Sequence, residues 1–469
     1  MAFLPVFLWT DILLFTLLAA TVLMVIYIRR KPHLCRPWKQ VFSTSRGMIS
    51  SLILLVFIGI GVADSLHFRL ALQPTEEEAS HHFHSDVLSV LDLILTPLRS
   101  QVEKTYSAPF AHQQFTKEMI QNEGSLHYGY PDLKYGGQHL TNPADKLQDI
   151  ANKSAKASLF ALGATLTMIA LWLSWLCWHR ASSLRDVLKR YWSDEAGYPV
   201  TTAWLTLFLI LLFASNLLYL GQFYHVLGTD KVGQDVLYQT LKSIRTGLLI
   251  GSLTTLIMLP MAVTMGIAAG YFRGWIDDLI QYIYTTLNAI PGVLLIAAAV
   301  LMLQVYINNH PQLFTTAAER ADIRLLFLCL ILGVTSWTGL CRILRSETLK
   351  LREAEYVQAA KALGVPGPTI LHRHILPNLM HIVLITVVLD FSGLVLAEAV
   401  LSYVGVGVDP TMISWGNMIN SARLEMARDP IVWWSLVAAF IFMFLLVLAA
   451  NLFADSVRDA FDPRHQVIT

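Results

Sequence analysis

Residues 355–364, Glu355-Tyr356-Val357-Gln358-Ala359-Ala360-Lys361-Ala362-Leu363-Gly364, lead into Val365-Pro366-Gly367-Pro368 and, further on, Ile375-Leu376-Pro377-Asn378. This stretch is polar and charged, yet it stands between two segments apolar enough to cross a bilayer. Its spacing predicts a short helix, a turn and a second helix. Ala359, Ala360 and Gly364 are small, so another surface can come close to the backbone there. The run Gly364 to Pro368 stops the first helix, because proline has no amide to donate and glycine accepts turn geometry. A membrane-embedded chain has little use for such a knob unless something outside the membrane grips it.

Of 469 residues, 55% are hydrophobic and 14% are charged, and the mean hydropathy is +0.53. A water-soluble domain carries about 25% charged residues, so lipid rather than water surrounds most of this chain. The formal net charge of +1 gives no reason to expect a nucleic-acid partner. Cys35, Cys177, Cys329 and Cys341 lie in or beside apolar segments without metal-ligand spacing. Neither a disulfide framework nor a zinc site is expected.

A helix needs about 20 apolar residues to cross the hydrocarbon core. Nine segments qualify: 9–28, 47–65, 156–178, 201–221, 246–270, 279–306, 325–341, 379–404 and 431–454. The segment 279–306 is long enough to tilt or kink, and Pro291-Gly292 supplies a physical reason. Arg29, Arg30, Lys31, Arg36, Lys39 and Arg46 fill the loop 29–46, which has no acid. Arg180, Arg185, Lys189 and Arg190 follow in 179–200, and Arg342, Arg345, Lys350, Arg352, Lys361 and Arg373 lie in or beside the insert. Nine alternating spans put these loops on one side with Arg458 and Arg464, and the excess of Lys and Arg marks that side as cytoplasm. The expected fold is an all-α polytopic membrane protein with its N-terminus outside and its C-terminus cytoplasmic. Residues 66–155 then form the large external domain, and 222–245, 307–324 and 405–430 also lie outside. No basic region precedes the first apolar run, so that run does not read as a cleaved signal peptide.

The insert resembles the cytoplasmic coupling motif of ABC importer permeases: Glu-Ala-Ala, three residues, Gly, nine residues, Ile, one residue, Leu-Pro. Ala359, Ala360, Gly364, Leu376 and Pro377 fall in register, while Gln358 stands for the Glu and His374 for the Ile. A second run, His225-Val226-Leu227-Gly228-Thr229-Asp230 and then Gly233-Gln234-Asp235-Val236-Leu237, resembles a signature of the dipeptide and oligopeptide permeases of the C type. Gln234 replaces an Arg usual there. In physical terms, Gly228-Thr229-Asp230 reads as a turn into a helix whose first amides an Asp or Thr oxygen accepts. Ala269 to Trp275, Ala397-Glu398-Ala399, Ser414 to Met418 and Arg458 to Pro463 follow in the family's order. The resemblance implies a six-helix type I importer core in 201–469, carrying the coupling insert at 342–378. Residues 1–200 become an N-terminal extension of three spans and the external domain.

The resemblance further implies a multi-pass subunit of the bacterial inner membrane. Its partners would be a second homologous permease, two cytoplasmic ABC ATPases and a periplasmic solute-binding protein, all amid membrane lipid. ATP and Mg belong to the ATPases: this chain lacks the Gly-x-x-x-x-Gly-Lys-Ser/Thr phosphate loop, carries no cofactor of its own and is not expected to be an enzyme. Glu355, Gln358, Ala359, Ala360, Gly364, Leu376 and Pro377 would grip an ATPase; the plainer alternative is a solvated loop whose Ala and Gly only form a helix and its cap. Peptides lead as cargo, with nickel, opines or other small solutes as the alternative. An ion-coupled secondary transporter would show inverted repeats, and a membrane sensor or scaffold would carry an output domain; the sequence shows neither.

Pro291, Asp390 and Glu398 are candidates for the path or its gate. A carboxylate at the centre of a membrane helix is costly and usually meets a polar cavity or a partner. Asp390 and Glu398, eight residues apart, can share a face. Glu398 falls in the family's Ala-Glu-Ala run and suits helix packing or an outer gate. Asp390 stands where a small residue is usual: it either lines a cavity passing a cationic or zwitterionic solute, or hydrogen-bonds between helices with Ser392 or Thr386. Asp230, Asp235, Trp415 and Asn417 are candidates for contact with the binding protein, Trp415 also suiting an interfacial anchor. In the external domain, Val87, Leu88, Leu91, Ile94, Leu95 and Leu98 predict an amphipathic helix. Glu76, Glu77 and Glu78 with His81, His82 and His84 suit either a divalent metal or a solvated loop.

Overall fold

The computed structural model describes residues 3–71, 87–122, 125–140, 142–180, 197–314 and 316–461. The Glu and His cluster of 76–84 lies outside the described residues, as do 181–196 in the second basic loop and the tail 462–469.

In hydrocarbon every backbone amide and carbonyl must find its partner within the chain, so the apolar runs become helices. The chain begins with β1 (Phe3–Val6), α1 (Trp9–Arg29), α2 (Pro32–Ser43) and α3 (Ser45–Ser65). Between α3 and the next long helix lie β2 (His67–Leu70), β3 (Leu88–Ser89), α4 (Val90–Ile94), α5 (Thr96–Ser100), β4 (Glu118–Asn122) and β5 (Ser125–Gly129). Next come α6 (Lys146–Arg180), α7 (Val200–Leu220), α8 (Val236–Phe272), α9 (Trp275–Ala289), α10 (Gly292–Asn309) and α11 (Ala317–Arg352). The chain continues with α12 (Glu355–Ala362), α13 (Gly367–Ile370), α14 (Leu376–Tyr403), α15 (Trp415–Glu425) and α16 (Trp434–Phe461). Among the described residues, nine helical stretches are long and apolar enough to cross a membrane.

Several boundaries differ from the sequence reading for identifiable reasons. The segment 279–306 is two helices, because Pro291 (φ −57°, ψ 116°) ends α9 and starts α10 instead of bending one rod. Helix α11 runs well past 325–341 because a capping box, Thr316 with Glu319, starts it early. The predicted amphipathic helix at 87–98 is instead β3 and two one-turn helices. Ser89 and Asp92 form a capping box there, and Leu91, Leu95 and Leu98 turn inward while Ile94 stays 60% exposed. Two small antiparallel sheets join the helical spans: β1-β2-β3, with Phe3 opposite Leu70 and Phe68 opposite Leu88, and the β4-β5 hairpin, with Met119 opposite Tyr128.

The chain forms two compact units, one of Met1–Val6, Lys39–Thr246 and Ile413–Ala449, the other of Phe7–Trp38, Gly247–Met412 and Ala450–Thr469. Neither coincides with 1–200 or 201–469. In the first unit, Leu91, Leu95, Leu98, Leu237 and Tyr238 form a core against Ile60, Leu217 and Phe442. Asn216 of α7 ties to α6 by accepting from the Ser154 hydroxyl at 2.7 Å and donating to Ser158 Oγ at 3.2 Å. In the second unit, α1 packs on α11: Leu14 joins Leu325, Leu328 and Leu401, and the Thr10 amide donates to Asp322 Oδ2 at 3.2 Å. A second core in that unit, built from Met258, Trp337, Leu344 and Val357, supports the insert.

Candidate functional site

Helix α12 ends where Gly364 takes φ +75°, a conformation that side chains resist. The Val365 amide donates to Ala360 O at 3.1 Å and the Gly364 amide to Lys361 O at 3.0 Å, the paired bonds of a Schellman cap. Pro366 then turns the chain into α13, a wider π-helical turn at Leu371–Ile375, and α14. Gln358 does not face outward freely: its Nε2 donates to Arg352 O at 3.0 Å and ties α12 to the end of α11. Asn378 Nδ2 donates to the Tyr356 hydroxyl at 2.9 Å, bracing α12 against the start of α14.

The insert has a dry side and a wet side. Val357, Ala360, Ile370, Ile375 and Leu379 are buried against the chain's own core. Glu355, Ala359, Lys361, Gly364 and Pro377 are exposed, and Leu376 is half-buried. Ala360 is thereby corrected: its small size serves packing within this chain, and Ala359 and Gly364 are the small residues left for an approaching surface. Leu363, beside the glycine, is 84% exposed. Sequence alone assigned it no role. Its place about 90° around the helix from the Val357 and Ala360 face was the available signal.

In the first unit, the signature run at 225–235 is closed by its own carboxylates. Asp230 Oδ1 accepts from the Val232 and Gln234 amides at 2.9 and 2.8 Å, and its Oδ2 accepts from Gln239 Nε2 at 2.6 Å. The cap of α8 is Asp235 rather than a residue of 228–230, its Oδ1 accepting from the Leu237 and Tyr238 amides at 2.8 and 3.2 Å. Asp235 is 1% exposed, and so is Trp415, whose indole N–H donates to Thr240 O at 3.1 Å. Interior side chains of this kind cannot touch a docking protein, and Trp415 is no interfacial anchor. Asp230 and Asn417 are half-buried, and the Asn417 amide donates to Ser414 Oγ to cap α15.

Residues 103–107 and 134–136 clamp this loop. The Glu103 carboxylate accepts from the amides of Lys134, Tyr135 and Gly136 at 2.9, 2.8 and 3.1 Å. His225 stands between two acids: Nδ1 is 2.8 Å from Asp235 Oδ2, and Nε2 is 3.4 Å from Glu103 Oε1, an ionic contact without good hydrogen-bond geometry. Burial opposes charge on His225, yet Asp235 and Glu103 outweigh it and lift the imidazole to about 9. Burial likewise opposes ionisation of Glu103, and His225 with the three amides outweighs it, holding the carboxyl at about 2. Thr229 exchanges bonds with Ser107, and Trp434 Nε1 donates to Thr229 O at 2.9 Å. A side chain at Gly233 (φ +76°) would stand 1.9 Å from Glu103 O, so only glycine lets the two segments meet. Nearby, Lys242 of α8 reaches Asp92 at 2.6 and 2.7 Å and Asp64 at 3.5 Å, while the Tyr238 hydroxyl donates to Asp92 at 2.7 Å.

The two carboxylates of α14 part company. Glu398 is 2% exposed and accepts from the Ser402 hydroxyl at 2.8 Å. Asp390 is half-buried and has no hydrogen bond or ion pair among the described residues. The Ser392 hydroxyl is buried without a partner, so the expected bond from Asp390 to Ser392 is not made. Pro291 lies exposed at the break between α9 and α10.

The chain matches the family described as binding-protein-dependent transport system inner membrane component over residues 262–467. It is 34% identical over 239 residues to the oligopeptide transport system permease protein OppC of Mycobacterium tuberculosis, covering 51% of this chain and 76% of that protein. With the glutathione transport system permease protein GsiD of Pectobacterium atrosepticum it shares 32% over 240 residues, 51% of this chain and 73% of the relative. With the dipeptide transport system permease protein DppC of Bacillus subtilis it shares 31% over 240 residues, 51% and 69% respectively. The chain therefore belongs to the binding-protein-dependent transport system inner membrane components, the permease subunits of ABC importers in the bacterial inner membrane.

Proposed function

We propose that this chain forms half of a path for peptides or similar small solutes, which a binding protein delivers from outside. A second homologous permease supplies the other half, and two cytoplasmic ATPases, carrying ATP and Mg, drive the cycle; this chain holds no nucleotide and does no bond chemistry. The observation that carries this reading is the built form of the insert. Its inner side is anchored in the chain's own core, while Ala359, Leu363 and Gly364 stay bare for a partner's cleft. Names among the relatives, for oligopeptide, dipeptide and glutathione transport, favour peptides. In this reading residues 1–200 are the extension and 201–469 the importer core, with Pro291 at a hinge of the path and Glu398 packing beside the gate. The orientation has support within the second unit. Thr10, Asp322, Arg324 and Asp409 gather at one end, by the start of α11, and the insert hangs from its other end, about 54 Å along a helix of 36 residues.

The test uses the assembled transporter. Ala359→Trp and Leu363→Asp are expected to leave complex yield unchanged and to cut binding-protein-stimulated ATP hydrolysis by roughly tenfold or more, because both add bulk or charge to a close contact. Full stimulation in both variants would remove the insert from coupling. Ala360→Asp is expected to act differently, lowering yield, since it buries a charge.

A further inference from the structure

Asp390 lies at the middle of α14, fourteen residues after Leu376 and thirteen before Tyr403. At 1.5 Å per residue it is about 20 Å from either end of the helix. An Asp at the centre of a membrane helix costs about 2.5 to 3.5 kcal/mol on insertion scales, and such a residue persists where it meets a counter-charge or a water-filled cavity. This chain gives it neither counter-charge nor hydrogen bond among the described residues. Of the basic groups of α11, Arg345 grips Asp277 at 2.6 Å and Arg324 pairs with Asp409 at 3.1 Å, while Arg342 is exposed and makes no ion pair with Asp390. Beside Asp390 the helix is open. Gly393, one turn on, is exposed, and a side chain there would meet nothing within 4 Å. Thr386, one turn back, is half-buried and adds a hydroxyl to the same side. Two turns on, Glu398 is closed off in packing, so the open carboxylate is not a general property of this helix.

We infer that Asp390 is a selectivity residue of the solute path, attracting a cationic group, an ammonium or guanidinium, on the passing peptide. This rests on the peptide-permease reading above and names the charge that its path prefers. In a partly dehydrated path a carboxylate acts on a passing cation more strongly than in water, and gives a neutral or anionic solute no such help. A fixed cation from the partner permease fits less well. An ion pair at mid-depth would tie the two subunits together where they must separate to let a solute through.

The experiment is ATP-driven uptake by the full complex in proteoliposomes, comparing trilysine, trialanine and triglutamate. Asp390→Asn is expected to lower trilysine uptake about tenfold relative to trialanine, with triglutamate unchanged or faster, and Asp390→Glu to restore the preference. Complex yield should stay at the level of the parent protein. Equal loss for all three peptides together with lower yield would assign Asp390 to a subunit contact and overturn the inference. So would an Asp390→Asn variant with the parent's peptide preference. A parent complex that hydrolyses ATP but moves none of the three would instead overturn the peptide reading, and this inference with it, before any variant is made.

Discussion

Glu103, His225 and Asp235 form a buried acid–base–acid row whose members come from two distant stretches of chain. Its pH dependence follows from the two directions of shift. His225 rises from an ordinary 6.5 to about 9, so its stabilisation is complete below about 6.5 and is lost as pH climbs through 9. Glu103 falls from 4.5 to about 2, so its stabilisation is complete above about 4.5 and is lost as pH drops toward 2. Both are in force between these limits, and each contributes on the order of 1–3 kcal/mol. The melting temperature of the purified protein is expected to fall between pH 6.5 and 9.5. His225→Gln should flatten that alkaline limb, while Glu103→Gln flattens the acid one. Identical pH profiles for the parent and both variants would show that the row does not hold the clamp. His225 and Asp235 were visible in a signature run; Glu103 was not, because nothing near it in sequence announces its three amide donors.

At the scale of elements, the extension supplies what the start of α8 lacks. Lys242 points from an apolar helix toward Asp92 and Asp64, with Asp92 itself nearly buried. Removing one partner of such a pair strands the other, at about 3–5 kcal/mol for a fully buried pair, and somewhat less here because Lys242 keeps some water contact. Asp92→Leu is expected to lower thermal stability sharply, and Asp92→Leu with Lys242→Met to recover most of it. A double variant no better than the single one would assign the loss to packing of α4 instead. The spans themselves were legible, since an apolar run of sufficient length has one outcome in lipid. The 87–98 run was not, because its helical spacing competes with a capping box at Ser89 and Pro97 at the next turn.

For the whole molecule, alternation of spans predicts which loops share a side. In a cysteine-free background, single cysteines at Gln113, Asn308 and Thr411, all exposed, are expected to react with an impermeant thiol reagent applied to spheroplasts. Cysteines at Ser43 and Pro366, equally exposed, should react only after the membrane is opened. Labelling of Pro366 from outside would invert the proposed orientation and place the insert beyond reach of any cytoplasmic ATPase.

The apolar spans and the stop at Gly364 were legible from local sequence, and so was an interruption at Pro291-Gly292, read as a tilt or kink and found as a full break between two helices. Each depends on local properties: transfer of side chains into lipid, the missing proline amide, and the backbone freedom of glycine. Tertiary structure decided which face each of these elements shows. It turned Ala360 inward and Leu363 outward, took Asp235 and Trp415 out of reach of any partner, and separated a satisfied Glu398 from an open Asp390. Those outcomes hang on contacts between residues far apart in the chain, and no local spacing specifies which side chain meets a donor, a ring or open space.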